Sequence, residues 1–494
     1  MRNSNLCRRP RLWRPLVLAT VAAVVLLAGV VGRPPAAAAG GPGVWTAVSG
    51  PVGSLLVQPR AVRGAAGTLH VVWMIAGTPQ SLMYSPIAAD GVVGTAQALA
   101  SGWSSLSNPA VVVDGNAADQ VLVFAGGIRS GAPAETHDGL NWWRSSDDGA
   151  TWGLEPGLVS GPGGTAYSSD VAAVATGSGI FQTWFSTFGV FCHRGVLPGI
   201  DYDLNDVGDY GYNSTLAYDD EKGALSVVAA YNATGAEGLW VRAIDQATGG
   251  ALGASAKLPQ SSTSYGGGQA FDLKQMQVPA IGLPGQGAVV VAYPTGYPTS
   301  ATLRVWRLSA SGTTTTTLAT GGSGKGATAV AADAEGRAWV VWTESSGTRR
   351  HVFACRSNPG ATVWGQTVSV MGPSGTDTLW QLAAAAQAGK LDVLGQFTRG
   401  GDNVIYHTQL LAGLSVSVSP AKARVGAAFT TTVTVKDAGV AQSGAHVRIG
   451  GKTATTGASG TASIKVKAAK PGSLRVTVTK GGYATTTATI KIIR

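Results

Sequence analysis

The sequence predicts an all-β chain, a seven-bladed β-propeller followed by a small β-sandwich. Three observations carry that expectation. Composition favours strands and turns, with 70 Gly, 14 Trp and abundant Thr, Val and Ala in 494 residues. One apolar run recurs seven times along the chain, and the C-terminal stretch alternates apolar and polar residues at period two. A chain that is 45% hydrophobic and 13% charged can bury a large core, which excludes a disordered polyelectrolyte. Three cysteines exclude a disulfide-stapled mini-domain and a Cys-rich zinc protein.

Residues 1–39 read as an export signal. Arg2, Arg8, Arg9, Arg11 and Arg14 come without an acid, an apolar run follows from Leu16 to Val31, and Pro34-Pro35 leads into Ala36–Ala39. Basic, apolar and small-residue stretches in that order are the parts of a secretory signal. An uncleaved anchor is the competing reading, although the run falls just short of the ~17–25 residues that a span needs. With cleavage near Ala39 the expectation is a secreted, extracellular monomer. It would have no transmembrane anchor and be held to the cell envelope, if at all, by non-covalent contacts.

Residues 40–413 hold the repeat. The apolar run appears at Leu69–Val72, Val121–Phe124, Ile180–Trp184, Leu225–Ala229, Ala288–Ala292, Ala338–Trp342 and Leu391–Leu394, at intervals of about 45–64 residues. Most copies follow a small-residue strand and a tight turn, as Ala327–Ala332 and Asp333 do, and each precedes a third run such as Leu303–Trp306. Strand, turn, strand, loop, strand at that spacing is the period of one propeller blade, with six or eight blades as alternatives to seven. The seventh unit lacks a fourth strand, because a different texture begins soon after Leu411. Ala47–Gly53 repeats the ending seen at Leu158–Gly164. The N-terminal strand is therefore expected to complete the last blade and close the ring, which hides two edge strands.

In residues 414–494, Val416, Val418, Val433, Val435, Val447, Ile449, Ile464, Val466, Val476 and Val478 alternate with Thr, Ser and Lys. Strands at this density over ~80 residues predict a small sandwich. The stretch resembles bacterial immunoglobulin-like modules, including the ending Lys480-Gly481-Gly482-Tyr483-Ala484. The net charge of +10 describes no part of the molecule. Residues 1–39 carry six Arg and no acid, residues 40–413 are net acidic, and residues 414–494 set 12 Lys and Arg against one acid, Asp437. A domain so basic attracts polyanions. Outside a cell that means a glycan or an anionic cell-surface polymer rather than nucleic acid; a solvated lysine-rich surface is the plainer reading.

The sharpest motif is Ser145-Ser146-Asp147-Asp148-Gly149-Ala150-Thr151-Trp152. Asp147 can accept backbone N–H bonds across a tight turn, Gly149 supplies the backbone freedom, and Trp152 packs between sheets. Ser357–Trp364 is a degraded copy. This Ser-x-Asp-x-Gly-x-Thr-Trp pattern is the Asp-box of BNR-repeat propellers, and over roughly 44–413 the blades resemble that sialidase-like superfamily. The resemblance implies a structural role for Ser145, Asp147, Gly149, Thr151 and Trp152, on the face opposite an active site. Sialidase catalysis uses three Arg, an acid/base and a Tyr nucleophile assisted by Glu. It does not carry over: Gln58 stands where the first of those Arg would fall, with Arg60 two residues further on.

Three long insertions, Gly126–Leu140, Gly195–Asn213 and Pro259–Gln277, are expected to crowd one side of the central opening. With their neighbours they offer a ligand-binding face of Arg129, Glu135, His137, Asp138, Asp170, Tyr202, Asp209, Tyr210 and Tyr265, where aromatic rings beside acids suit sugars. Asp201, Asp203, Asn205, Asp206 and Asp209 are hard oxygen ligands of the kind Ca²⁺ prefers, against the reading of a solvated, turn-rich loop. No cofactor is required. Cys192 and Cys355 belong to non-adjacent units and are expected as separate buried thiols. The function these observations suggest is an exported, non-catalytic propeller that binds an extracellular glycan or cell-surface polymer. One alternative is a glycoside hydrolase or lyase of sialidase-like fold using Asp170, Asp206 or Asp209 with Tyr210. Another is a structural or adhesive protein that binds another protein.

Overall fold

The computed structural model describes residues 41–494 except 54–55, 115–119, 130–137, 161–168, 187–188, 208–210, 232–234, 262–277, 297–300, 322–323, 347–348, 377–378 and 388. The signal expected in residues 1–39 lies outside the described residues. Those described contain strands and turns and no helix, so no helix among them is long and apolar enough to cross a membrane.

Between Thr46 and Leu411 the described strands form seven small antiparallel sheets. The first is Leu56–Arg63, Leu69–Ile75, Gln80–Ile87 and Gln97–Trp103. The second is Ala110–Val113 with Ser105–Leu106, then Val121–Ile128, Asp138–Ser145 and Gly153–Leu154. The third is Ser169–Thr176, Gly179–Ser186, Gly189–Arg194 and Tyr202–Asp203. The fourth is Gly211–Asp219, Ala224–Tyr231, Gly238–Ile244 and Ala251–Lys257. The fifth is Ala280–Leu283, Ala288–Thr295, Thr302–Ser309 and Gly312–Ala319. The sixth is Lys325–Ala332, Arg337–Ser346, Arg349–Pro359 and Val368–Met371. The seventh is Leu379–Gln387, Lys390–Arg399 and Asp402–Leu411 with Thr46–Ala47 as its outer strand.

Each recurrent apolar run falls on the second strand of its sheet. Burial on both faces explains why these runs are continuously apolar, since successive side chains point to opposite sides. In the first sheet Val72 and Met74 pack toward the second, whereas Val71 and Trp73 pack toward the seventh. The same division holds around the molecule, so an apolar cluster fills the space between every pair of consecutive sheets and between the seventh and first. The sheets therefore form a closed, propeller-type ring.

Closure uses the N-terminal segment, as the sequence predicts. Thr46 pairs with His407 and Ala47 with Tyr406, and Val52 bridges to Asn403. Ser49 Oγ adds a side-chain clasp by accepting the Ile405 N–H at 2.9 Å. An ion pair at the closure and a histidine–carboxylate hydrogen bond join the first sheet to its two neighbours. Arg63 of the first sheet meets Asp392 of the seventh, and Asp392 also accepts from His407 Nε2 at 2.8 Å. His70 Nε2 lies 3.1 Å from Asp148, in the turn that follows the third strand of the second sheet.

That turn is the Ser145–Trp152 motif. Asp147 accepts the Thr151 N–H at 2.8 Å and its hydroxyl at 2.6 Å, while Ser145 Oγ accepts the Gly149 N–H at 2.8 Å. Asp148 and Gly149 take φ of 53° and 85°, and a Cβ on Gly149 would collide with the Tyr84 hydroxyl. In the sixth sheet Asn358 does the work of Asp147, accepting the Thr362 N–H at 2.9 Å and the Val363 N–H at 2.8 Å. Cys192 and Cys355 are separate buried thiols, and burial pushes both well above the usual thiol range.

Beyond Leu411 two sheets enclose one apolar core that includes Val433, Val435, Ile464, Val476, Val478 and Ile490. This sandwich is tied to the sixth sheet through its single acid. Asp437 Oδ2 accepts from Arg337, Arg356 and the Tyr483 hydroxyl, each at 3.1 Å, and Arg356 also reaches Asp333 at 2.8 Å.

Candidate functional site

The first strands of the seven sheets converge on the ring axis. Small residues there, including Ala61, Ala110, Ala172, Ala280, Ala329 and Ala383, leave a channel whose cavity measures ≈ 380 Å³. Arg60 is the cation on its wall.

Most first strands are irregular near their start. Pairing shifts between Val57 and Arg60, between Ser169 and Ala172, between Tyr212 and Thr215, and between Lys325 and Thr328. Such bulges re-aim the side chains beside them. Asp170 and Asn213 occupy the bulges of the third and fourth sheets, each with φ of 52°, a conformation that Asp and Asn tolerate better than most residues. Asn213 is buried, and neither atom of its amide has a partner among the described residues.

A polar cluster forms where the first three sheets meet. Arg60 is buried and donates from Nε to the Pro109 carbonyl at 3.3 Å; one terminal nitrogen has no partner among the described residues. Asn108 donates from Nδ2 to Asp170 at 2.5 Å, and its carbonyl accepts the Val171 N–H at 3.3 Å. Desolvation dominates the electrostatics. Burial pushes the Asp170 carboxyl up to about 6, against the opposing pull of Arg60 and Asn108. Burial likewise lowers Arg60 to about 10, against Asp170. A carboxyl raised to about 6 beside a buried guanidinium can serve as a proton donor.

Of the residues singled out in the sequence, Asp170 enters this cluster. Arg129 is exposed just after the second strand of the second sheet. Glu135, His137, Asp209, Tyr210 and Tyr265 lie outside the described residues, as does the side chain of Asp138, whose backbone opens a third strand.

The acid-rich stretch after Gly195 corrects an expectation. It is not one long insertion over the opening, because Tyr202–Asp203 pairs with Phe191 and Cys192 as the outer strand of the third sheet. Tyr202 lies against Gly249 and Gly250 in a turn of the fourth sheet. The oxygens expected to share a cation turn to different protein partners. Asp201 accepts from Ser160 Oγ and faces His193 Nδ1, both at 2.9 Å. Asp203 accepts from the Asn205 N–H at 2.8 Å, and Asn205 Oδ1 accepts from the Val190 N–H at 3.1 Å. Asp206 accepts from the Ser255 N–H at 2.7 Å and sits 3.5 Å from Arg242. Among the described residues no three His, Cys, Asp or Glu side chains group as metal ligands.

Arg60 was set aside in the sequence as displaced from a sialidase-type Arg position, and Asn108 is the member of the cluster that sequence reasoning missed altogether. Its signal was the X-Pro step: Gln58-Pro59, Asn108-Pro109 and Val278-Pro279 all stand immediately before or within a channel strand, where proline favours irregular, extended backbone.

The chain matches no protein-family model and no curated protein. Among solved structures it is similar to an ulvan lyase, a polysaccharide lyase bound to a GlcA(1-4)Rha3S unit, at 10% identity and TM-score 0.42, over 74% of this chain and 96% of that one. It is similar to the Trypanosoma rangeli sialidase with the inhibitor DANA at 11% identity and TM-score 0.36, over 64% of this chain and 56% of that one. A Bacillus subtilis arabinanase aligns at 9% identity and TM-score 0.30, over 73% and 96%. Likeness at this level transfers no residue and no activity.

Proposed function

We propose that the protein is an exported, glycan-active enzyme. In this reading residues 1–39 are its signal, residues 40–413 a seven-bladed propeller carrying an Asp-box, and residues 414–494 an immunoglobulin-like sandwich. The catalytic part rests on one observation: Asp170, largely buried in a left-handed backbone conformation, is raised to about 6 beside the Arg60 guanidinium that lines the channel. Backbone strain and a carboxyl held back from ionisation are features that functional sites concentrate. In this role Asp170 is the acid that protonates a leaving glycosidic oxygen. Arg60 and Asn108 position it.

A specific observation favours a second reading, glycan binding without turnover. The cluster as described holds one carboxyl, where glycoside hydrolysis usually takes two, and that carboxyl already accepts from Asn108. Reducing-end release from a panel of extracellular polysaccharides, with wild type and Asp170→Asn side by side, separates the two. Turnover that falls at least ~100-fold in the variant, with retention on the polysaccharide preserved, supports the enzyme. Retention without turnover in either protein supports the binder.

A further inference from the structure

The second sheet of the sandwich is Lys422–Arg424, Thr486–Ile493, Gly472–Thr479, His446–Ile449 and Lys452–Thr455 in spatial order. Its inward residues, Val447, Ile449, Val476, Val478, Ile490 and Ile492, belong to the core. Strand alternation then fixes what the outer face carries. Lys422 pairs with Lys491, Thr489 with Arg475, and Thr477 with Arg448. Each step from Lys491 to Arg475 to Arg448 moves one strand across and two residues along. With strands ~4.8 Å apart and ~6.8 Å per two residues, Lys491, Arg475 and Arg448 stand about 8 Å apart on a line of about 17 Å, with Lys422 about 5 Å beside Lys491.

All four cations are exposed, with Thr477 and Thr489 between them. No acid interrupts the line, because the sandwich's one acid, Asp437, is buried against Arg337 and Arg356. We propose that this stripe binds a single extended anionic polysaccharide. The assignment stands independently of any activity in the ring.

Three features favour that occupant. A narrow band of cations, which Arg424 extends on the edge strand, matches one linear chain rather than a duplex with two backbones. Duplex DNA carries a charge every ~1.7 Å, far denser than the cations here, whereas a polysaccharide spaces its charges out and offers hydroxyls to the intervening threonines. The outward positions of this sheet hold no Phe, Tyr or Trp on which unpaired bases could stack.

Retention of the purified protein on immobilised heparin and on polygalacturonate tests the proposal, with inorganic polyphosphate and single-stranded DNA as competitors. The double variant Arg448→Gln, Arg475→Gln is compared with Lys465→Gln, Lys467→Gln. The second pair removes equal charge from exposed positions of the other sheet. The stripe pair should lose about tenfold or more in affinity for at least one polysaccharide, and the control pair less than twofold. Should the stripe pair melt earlier than wild type, Lys491→Gln alone serves as the readout, with a smaller loss of the same kind. Equal loss in both pairs, no loss in either, or stronger binding of polyphosphate or DNA at matched charge overturns the assignment.

Discussion

Replacing Asp170 by Asn tests the electrostatics of the Arg60–Asn108–Asp170 cluster without disturbing its shape. Asn tolerates the backbone at φ of 52° and keeps an oxygen for the Asn108 amide. In the folded protein the Asp170 carboxyl is raised from about 3.8 to about 6, chiefly by burial. The folded state therefore holds this proton more tightly than the unfolded chain. Its favourable contribution is present below pH ~4 and disappears as pH rises through 6. At 1.36 kcal/mol per pKa unit, wild type should lose about 3 kcal/mol relative to Asp170→Asn between pH 3.5 and pH 7.5. Urea unfolding of both proteins across that range reads the difference directly, because every other titrating group is common to the two. Parallel pH profiles would refute the reasoning, and a relative gain for wild type with rising pH would reverse it.

Other consequences follow from particular contacts. Asp147→Ala removes the acceptor of the Thr151 N–H and hydroxyl and should lower Tm by a few degrees. Asp147→Asn should hold Tm close to wild type, since Asn358 already fills the same role in the sixth sheet. Asp437→Ala leaves Arg337 and Arg356 short of a buried acceptor, at a cost of about 3 kcal/mol, and calorimetry should show the sandwich melting apart from the ring. Cys192 and Cys355 should resist a thiol reagent at pH 8 in the native protein and react together on unfolding, because burial disfavours both thiolates.

The ring was legible because its physics is periodic. Val71 and Val72 had to face opposite neighbours, and that requirement makes the second strand an unbroken apolar run that repeats with each sheet. The closing role of Thr46–Ala47 was legible from the missing strand of the last unit. The sandwich showed in the alternation of residues such as Val476 and Val478, whose partners alternate in and out. The site was harder to see. Asn108 and Asp170 are 62 residues apart, and nothing local marks their contact. Tyr202–Asp203 is too short a strand to show a period, so its acids looked like a loop over the opening. Arg60 was visible as a cation, but its burial comes from neighbouring sheets that no single strand encodes.

Cleavage of an extracellular polysaccharide as a function of pH, in wild type and Asp170→Asn, bears most directly on the claim that the Arg60–Asn108–Asp170 cluster does chemistry. Wild type should release new chain ends from at least one substrate, with a rate that falls as pH rises through about 6, and the variant should lose that activity while still binding. Equal activity in the two proteins, or a wild-type rate that climbs through the same range, would contradict the assignment of Asp170 as the acid.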